Sequence, residues 1–166
     1  MGNAGSSSGR PDEAAARELY RLRCSYYDLQ LAPYDAIRQR AVERLHLRPG
    51  QVVLDLGCGT GMSLELLQQA VGPGGRVIGV DQSPEMIELA RQRVQRQGWT
   101  QVELVCAPIH LAQLPAAADA ALFHFTHDIL QTPAALDHVL AHLKPGARIA
   151  AAGLKWTSPL YAPLNS

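Results

Sequence analysis

The sequence at residues 52–61 reads VVLDLGCGTG and supplies the strongest structural signal in the chain. Its first three residues are apolar in succession, as in a strand of a parallel sheet that is buried on both faces. The strand ends on Asp55, and the chain then turns through glycines at alternate positions before an amphipathic segment begins at Met62. Glycines allow the backbone to pass close to a ligand where a Cβ would collide. A strand, an acidic residue, a glycine-rich turn and a helix in this order predict a nucleotide-type cofactor site.

Strands and helices alternate regularly along the chain from this point. Because this pattern is typical of βαβ units, it predicts an α/β protein with an open parallel sheet and helices on both faces. Turn residues separate the elements, as in GPGG at residues 72–75 and KPG at residues 144–146. The predicted strands are Val52–Asp55, Arg76–Val80, Val102–Cys106, Ala120–Phe125 and Arg148–Ala152, and the predicted helices are Met62–Ala70, Pro84–Gln97 and Pro133–Leu143.

Two further helices are predicted ahead of the sheet. One runs over Ala14–Tyr27, and the second begins near Pro33, has Ile37, Ala41, Val42 and Leu45 at helical spacing, and stops at RPG, residues 48–50. After the fifth strand the chain offers residues 153–166, which are too few for another helix and two strands. We therefore expect a flexible leader at 1–10, N-terminal helices at 11–48, the sheet domain at 49–156 and a tail at 157–166.

Composition excludes several classes of protein. The formal charge is zero, with 15 basic and 15 acidic residues among 166, so nothing favours binding to nucleic acid or to an anionic membrane. No apolar run is long enough to span a bilayer, and the N-terminus lacks an apolar signal core. The three cysteines form no CxxC pair, which favours a reduced, cytoplasmic protein. No metal site is expected, since His138 and His142 lack a carboxylate between them and HxxHD at residues 124–128 lacks a third ligand.

The second strand ends on another acidic residue, Asp81. Gly57 and Asp81 are separated by about the length of one βαβ unit, so Asp81 is predicted to accept hydrogen bonds from both hydroxyls of a ribose. The alternative is that Asp81 caps the following helix, but Ser83 is better placed for that. Gln82 and Met86 are then expected beside a purine, although Met86 is equally consistent with an ordinary core position.

Three motifs carry a resemblance to a known family. VLDLGCGTG at residues 53–61 resembles the first motif of class I S-adenosylmethionine-dependent methyltransferases, and VIGVDQSPEMIELAR at residues 77–91 resembles the second motif and its helix. LKPGARI at residues 143–149 resembles the turn into the fifth strand, so the resemblance covers roughly residues 27–156. It implies a Rossmann-like sheet with strand order 3-2-1-4-5, here lacking the usual strands 6 and 7. It also implies S-adenosylmethionine as cofactor and methyl transfer to a small-molecule or lipid-like acceptor.

The resemblance also implies roles for particular residues. Asp55 would lie near the amino group of the methionine moiety, Asp81 would hold the ribose, and the glycine-rich turn would line the cofactor through Gly57, Cys58 and Gly59. Many relatives carry an aspartate for the adenine amino group after strand three. Here that run is CAP at residues 106–108, so Ala107 and Pro108 are expected as wall residues.

Catalytic candidates follow strand four, which in this fold opens over the reactive methyl group. They are His124, His127 and Asp128, because a histidine can remove a proton from an oxygen or nitrogen nucleophile near neutral pH. The alternative is that His124 is a wall residue that also contacts the cofactor and that Asp128 caps a helix. In the N-terminal helices, which resemble a lid over the cofactor, Tyr27 or Tyr34 would touch the sulfonium or the carboxylate end, unless they are core residues.

The sequence is also compatible with other functions. A non-catalytic or truncated S-adenosylmethionine-binding module is the main alternative, because the chain stops after strand five. A nicotinamide oxidoreductase would require GxGxxG spacing instead of the GxGxG present. The strand-five edge, which is apolar at residues 149–152, would favour a homodimer through strand pairing.

Overall fold

The computed structural model describes residues 15, 18–19, 21–23, 25–26, 29, 34–124 and 132–152 of the chain. The described residues between 15 and 29 are helical. Beyond them the helices are α1 (Asp35–Arg44), α2 (Leu64–Val71), α3 (Pro84–Gln97) and α4 (Pro133–Ala141), with a short 3-10 turn at Ile109–Leu111. The strands are β1 (Val52–Leu56), β2 (Arg76–Asp81), β3 (Val102–Cys106), β4 (Ala118–His124) and β5 (Leu143–Ala152).

The five strands form one parallel sheet in the order β3-β2-β1-β4-β5. This confirms the predicted fold class and strand order. β1 lies at the centre, where Asp55 is level with Gly79 of β2 and Leu122 of β4. Four of its five residues are buried, which is why its sequence shows no alternation of polar and apolar residues.

Helices cover both faces of the sheet because successive strand residues point to opposite sides. On one face, Val53 and Val77 pack with α1 and α2 through residues such as Val42 and Leu67. On the other face, Leu54, Leu56, Ile78, Val80 and Phe123 pack with Ala135 and Val139 of α4. The result is a three-layer arrangement whose loops at the carboxyl ends of the strands are available for a ligand.

Helix α3 begins as its sequence predicts. Ser83 precedes Pro84 and its Oγ accepts a hydrogen bond from the backbone N–H of Met86 at 3.3 Å, which confirms Ser83 as the cap. Gly98 ends the helix in the left-handed conformation, with φ of 68°. Asp81 is therefore not the N-cap residue of α3.

The fifth strand begins earlier than predicted. β5 starts at Leu143, which is paired with Ala118, whereas the next pair is Arg148 with Ala120. The expected turn at residues 144–146 is therefore a bulge within the strand, where Gly146 has φ of 79°. Because Leu143 belongs to β5, helix α4 ends at Ala141 instead of continuing to Leu143.

No helix in the described ranges is both long and apolar enough to cross a bilayer.

Candidate functional site

The carboxyl ends of β1, β2 and β4 meet at the point where the strand order reverses. The chain leaves β1 toward β2 on one side and returns to β4 on the other. In open α/β sheets, ligands bind in the crevice at such a point. The sequence placed its candidate ligand residues in these loops. The structure brings Asp55, Gly57, Cys58, Gly59, Asp81 and His124 to this edge of the sheet.

The glycine-rich turn is fastened to the neighbouring strand. The backbone N–H groups of Gly57 and Cys58 both donate to the carbonyl oxygen of Val80, at 2.8 and 3.0 Å. Gly59 has φ of 55°, a conformation that favours glycine, and a Cβ added there would meet no atom of the described residues within 4 Å apart from its chain neighbours. The turn therefore presents backbone, without a side chain, to an open space.

Asp81 joins this turn to the start of α3. Its Oδ2 accepts a hydrogen bond from the N–H of Gly59 at 3.0 Å, and its Oδ1 accepts one from the N–H of Ser83 at 2.9 Å. A carboxylate oxygen can accept a second hydrogen bond, so each oxygen keeps a direction available for a ligand hydroxyl. The two backbone donors fix the orientation of the carboxylate before a ligand arrives.

The Asp55 carboxylate is buried without a hydrogen-bond donor among the described residues. Its side chain is fully inaccessible, and neither Oδ1 nor Oδ2 has a partner there. Burial raises the pKa of this carboxyl to about 7, against the opposing attraction of Arg38 and with a further increase from the negative charge of Asp81. Because a buried polar group is costly unless it is hydrogen-bonded, this carboxylate is suited to a ligand that brings a donor or a cation.

Arg38 of α1 is a site residue that the sequence reasoning missed. It is only 4% exposed, and it pairs with the carboxylate of Asp35 and contacts Sδ of Met62 at 3.8 Å. The predicted apolar face of this helix included Ile37, which is instead exposed. Residues 38, 41, 42 and 45 lie on one face of the helix, so helical spacing is consistent with the burial of residue 38. It was missed because a charged residue was not expected on the buried face.

His124 ends β4 beside these charges. It is 6% exposed, and burial, together with the positive charge of Arg38, lowers the pKa of its imidazole to about 4. The ring is therefore neutral at physiological pH. The other predicted catalytic residues, His127 and Asp128, and the predicted lid residue Tyr27 lie outside the described residues.

The walls predicted for a purine lie beyond Asp81. Ala107 and Pro108 are half-buried after β3, and the N–H of Ala107 donates to the carbonyl of Asp81 at 3.0 Å. Gln82 is exposed and Met86 is half-buried. Ala107 therefore lies beside the end of β2, while Gln82 and Met86 belong to the loop and the helix that follow this strand.

Cys58 is a packing residue in this site. Its side chain is buried, and burial raises the pKa of its thiol well above its usual range, with the carboxylates of Asp55 and Asp81 adding to the increase. The thiol is therefore protonated at neutral pH and unsuited to act as a nucleophile. A Cβ at Gly79 would lie 3.1 Å from its Sγ, so the two residues pack tightly between β1 and β2.

The side chains of two histidines noted in the sequence lie within hydrogen-bond distance of backbone carbonyl oxygens. His138 Nε2 lies 2.8 Å from the carbonyl oxygen of Ala112, and His142 Nδ1 lies 2.7 Å from that of His138. Across the described parts of the chain, no group of three or more metal-ligating side chains is close enough to hold an ion.

Comparison with known proteins gives consistent matches. The sequence profile of the family described as "Methyltransferase domain" matches residues 53–146. An uncharacterized 37.1 kDa protein in transposon TN4556 of Streptomyces fradiae is 38% identical over 160 residues, which are 91% of this chain and 43% of that protein. The demethylmenaquinone methyltransferase of Symbiobacterium thermophilum is 32% identical over 152 residues, which are 82% of this chain and 57% of that protein.

The fold is similar to that of solved structures as well. The crystal structure of a SAM-dependent methyltransferase from Aquifex aeolicus superposes with a TM-score of 0.65 at 27% identity, covering 74% of this chain and 68% of that one. The chain spans about half the length of the two relatives named above.

Proposed function

Because the chain belongs to the Methyltransferase domain family, we propose that it binds S-adenosylmethionine and transfers the methyl group to a small-molecule or lipid-like acceptor. The observation that carries the proposal is the buried Asp55 carboxylate, which has no donor among the described residues and lies close enough to Asp81 for the two charges to interact. Similarity to a demethylmenaquinone methyltransferase supports an acceptor of the quinone or lipid-like class. The zero formal charge supports a small-molecule acceptor over nucleic acid.

The residues present fit this cofactor. Asp55 would accept from the ammonium group, Asp81 from the ribose hydroxyls, and the glycine-rich turn would pass along the ligand with Gly57, Cys58 and Gly59. Gln82, Met86, Ala107 and Pro108 would line the adenine. The Asp55 carboxylate, which has no donor among the described residues, can accept hydrogen bonds from an α-ammonium. The Asp81 carboxylate, whose two oxygens keep acceptor directions open, can accept them from a diol.

The cofactor supplies an electrophilic methyl group on a sulfonium, and the protein supplies alignment and exclusion of water. Direct displacement needs the acceptor held in line more than it needs a covalent intermediate. A base works best when its pKa is near the operating pH, so His124, with a pKa of about 4, is suited to orient an acceptor as a neutral wall residue. His127 and Asp128 remain the proposed proton acceptors.

Replacing Asp81 with alanine should weaken binding of S-adenosylhomocysteine by roughly 10- to 100-fold, because charge-assisted hydrogen bonds to the ribose are lost. Isothermal titration calorimetry measures this. Glu85→Ala is the control, since Glu85 is a neighbouring exposed carboxylate that pairs with Arg23 on the surface. Equal affinities for the wild type and Asp81→Ala would refute the ribose assignment.

Replacing Gly59 with valine should abolish cofactor binding, because the side chain would occupy the open space beside the turn. Gly50→Val is a matched control: Gly50 also has a positive φ, of 88°, and open space around it, but it lies at the opposite end of β1. Both variants bear the backbone strain of a β-branched residue at positive φ, and only Gly59→Val obstructs the site. Binding by a folded Gly59→Val protein would show that the ligand does not pass this turn.

The function itself is tested by titrating S-adenosylmethionine, S-adenosylhomocysteine and NADH separately into the chain. Binding of the two adenosyl-sulfur ligands without NADH supports the proposal, and binding of NADH alone supports an oxidoreductase. The second candidate, a binding module without turnover, is favoured if the ligands bind and no acceptor, quinones included, is methylated.

We also propose a cytoplasmic location and a homodimer through the β5 edge. The free thiols of Cys58 and Cys106 support a reducing compartment. Among the described strands, β5 pairs with β4 alone, and Ile149 on it is 45% exposed, which supports pairing with a second chain. Light scattering on the purified protein distinguishes a dimer from a monomer.

A further inference from the structure

A cavity lies at the amino end of the sheet, opposite the candidate cofactor site. It has a volume of about 310 Å³, and it is bordered by the segment that joins α1 to β1 and by the first residues of β4 and β5. Gln51 immediately precedes β1 and Asp119 is the second residue of β4, whereas Asp55 and Asp81 lie near the carboxyl ends of their strands. The cavity is therefore separate from the site that the proposed function uses.

The bulge in β5 helps to form this cavity. In the register of β4 with β5, the pair Leu143–Ala118 is followed by the pair Arg148–Ala120, so the residues between them are unpaired in this ladder. Gly146 belongs to the bulge, and a Cβ added there would meet no atom of the described residues within 4 Å, its chain neighbours apart. The two strand ends therefore leave an open space between them.

The cavity has a surplus of positive charge. His46, Arg48 and Arg148 line it, and all three are exposed. In the part of the chain that the structure describes, none of their side chains has a hydrogen bond or an ion pair. The carboxylate in the lining, that of Asp119, is already paired, because it accepts from Lys144 Nζ and from a backbone N–H, both at 2.8 Å. Since Lys144 offsets the charge of Asp119, the two guanidinium groups carry the uncompensated charge.

The backbone of His46 has a conformation that is uncommon for a residue with a side chain. Its φ is 45°, a positive value that no other non-glycine residue in the described ranges has. His46 directly follows Leu45, the C-cap of α1, at a position where glycine is the common residue because a Cβ is strained there. Its N–H donates to the carbonyl oxygen of Glu43 at 3.0 Å, which holds the conformation. Backbone strain of this kind is concentrated at functional sites.

The backbones that carry the two guanidinium groups are fixed by hydrogen bonds. The N–H of Arg48 donates to Oε1 of Gln51 at 2.8 Å, and its carbonyl oxygen accepts from the N–H of Gln51 at 3.2 Å. Gly50 fastens this turn to the end of α2, since its N–H donates to the carbonyl oxygen of Val71 at 2.8 Å. Arg148 is held by the pairing of β5 with β4. Both arginines are therefore positioned at the cavity before a ligand arrives.

A phosphoryl group fits this set of donors. Guanidinium groups bind phosphate oxygens through pairs of parallel hydrogen bonds, and an imidazole N–H adds another donor. A phosphate monoester carries a charge of about −2 near neutral pH, which matches two guanidinium groups, whereas a single carboxylate carries half as much. The cavity lies at the lower end of the volume range of small-molecule sites, roughly 300–1,000 Å³, which leaves room for an organic part beside the phosphoryl group.

We propose that this cavity binds a small phosphorylated molecule, whose phosphoryl group is held by Arg48 and Arg148 with a further hydrogen bond from His46. The inference does not depend on the proposed function, because none of these residues belongs to the candidate cofactor site. It adds a second binding site at the other end of the same sheet.

Calorimetric titration of the full chain in phosphate-free buffer at low salt tests the proposal. The probes are glycerol 3-phosphate, glucose 6-phosphate and inorganic phosphate, with glucose and succinate as controls that lack a phosphoryl group. The variants are Arg48→Gln, Arg148→Gln, His46→Gly and, as the matched control, Arg96→Gln. Arg96 is exposed at the end of α3 and lies outside the lining of the cavity. Circular dichroism and thermal unfolding establish that each variant is folded.

The two phosphate esters should bind with a Kd of about 1 mM or below, and glucose and succinate at least about tenfold more weakly. Arg48→Gln and Arg148→Gln should each weaken ester binding by about tenfold, and Arg96→Gln should behave as wild type. His46→Gly should weaken it by about threefold or more and leave the midpoint of thermal unfolding unchanged or higher, because glycine relieves the strain. An unchanged ester affinity in His46→Gly would refute the role of the imidazole.

Other results would overturn the proposal as a whole. If neither ester binds, or if Arg96→Gln weakens binding as much as the cavity variants, the cavity is not a site for a phosphorylated molecule. Binding of inorganic phosphate without the esters would show that the cavity takes the free ion only. Equal binding of succinate would show a general attraction of anions. The comparison among the probes uses the wild type alone, so a misfolded variant would not prevent refutation.

A separate titration with S-adenosylhomocysteine distinguishes this inference from the proposed function. If S-adenosylhomocysteine does not bind and the esters do, the proposed function fails and the second site stands. If S-adenosylhomocysteine binds and the esters do not, the second site is refuted and the proposed function stands.

Discussion

Replacing Asp55 with asparagine is expected to raise the free energy of unfolding of the ligand-free protein at pH 8 by about 2–4 kcal/mol. In the folded protein, burial raises the pKa of this carboxyl from 3.8 to about 7. The folded state therefore disfavours the ionised form, and the contribution of Asp55 to stability is fully present below pH 4 and lost as the pH rises through 7. Asparagine cannot ionise, although its buried amide keeps the gain below the full value of the shift.

Urea unfolding of both proteins at pH 5 and pH 8 measures this effect. From pH 5 to pH 8, the free energy of unfolding of the wild type should fall relative to that of Asp55→Asn. Asp119→Asn is the contrasting control, because Asp119 accepts from the N–H of Val52 and from Lys144 Nζ, both at 2.8 Å. Burial would raise the pKa of Asp119, but these hydrogen bonds outweigh it and lower the pKa, so asparagine there should destabilise the protein. Destabilisation by Asp55→Asn at pH 8 would show that Asp55 is satisfied in the free protein.

The same substitution should weaken cofactor binding by roughly 10- to 100-fold, since the ammonium loses a charged partner. In the wild type, binding of an ammonium requires an ionised Asp55, so the affinity should rise by about tenfold from pH 6 to pH 8 and binding near pH 6 should release a proton. Calorimetry of S-adenosylhomocysteine in buffers of different ionisation enthalpy measures that proton. Asp55→Asn should remove both the pH dependence and the proton release.

Replacing Gly75 with alanine should lower the free energy of unfolding by about 3 kcal/mol or prevent folding. An added Cβ would lie 2.4 Å from Cβ of Val71, 2.6 Å from the carbonyl oxygen of Val71 and 2.7 Å from that of Gln51. Two of these atoms belong to the backbone, and the Gln51 carbonyl also accepts from the N–H of Arg76 at 3.0 Å, where β2 begins. Relief of the clash would therefore displace the end of α2 or the pairing of β1 with β2.

Gly74→Ala is the matched control in the same turn, because a Cβ there would meet no atom within 4 Å in the part of the chain that the structure describes, its chain neighbours apart. Its free energy of unfolding should stay within about 0.5 kcal/mol of wild type or rise slightly, as alanine restricts the unfolded chain. Denaturant unfolding compares the two variants directly. Equal stabilities for Gly74→Ala and Gly75→Ala would show that the turn adapts without cost.

The sheet was predictable because its signals are local. Short stretches of sequence were enough to recognise the apolar runs that end on Asp55 and Asp81 and the alternation of strands with helices. The correct strand order came from the family resemblance that these stretches carry. The loops that carry the candidate ligand residues were also predictable, because their signals are local. The binding experiments test the chemical roles of these residues.

The residues that were missed depend on distant partners. Arg38 is buried because α1 packs against the sheet with that side of the helix inward, and helical spacing alone favoured Ile37 for the core. Residues 144–146 have the composition of a turn, but the pairing of Leu143 with Ala118 makes them a bulge within β5. Neither outcome can be inferred from a window of neighbouring residues, since each is determined by contacts with another element.

The position of β1 at the centre of the sheet also has a consequence for the order in which the molecule assembles. The neighbours of Asp55, Gly79 and Leu122, lie about 24 and 67 residues further along the chain. Because closing the longer loop is slower, we expect the β1–β2 side to form first and the crevice to be completed only when β4 docks. Because a ligand of this crevice binds after that step, its binding energy stabilises the native state alone. Saturating cofactor should therefore slow unfolding and leave the folding rate unchanged.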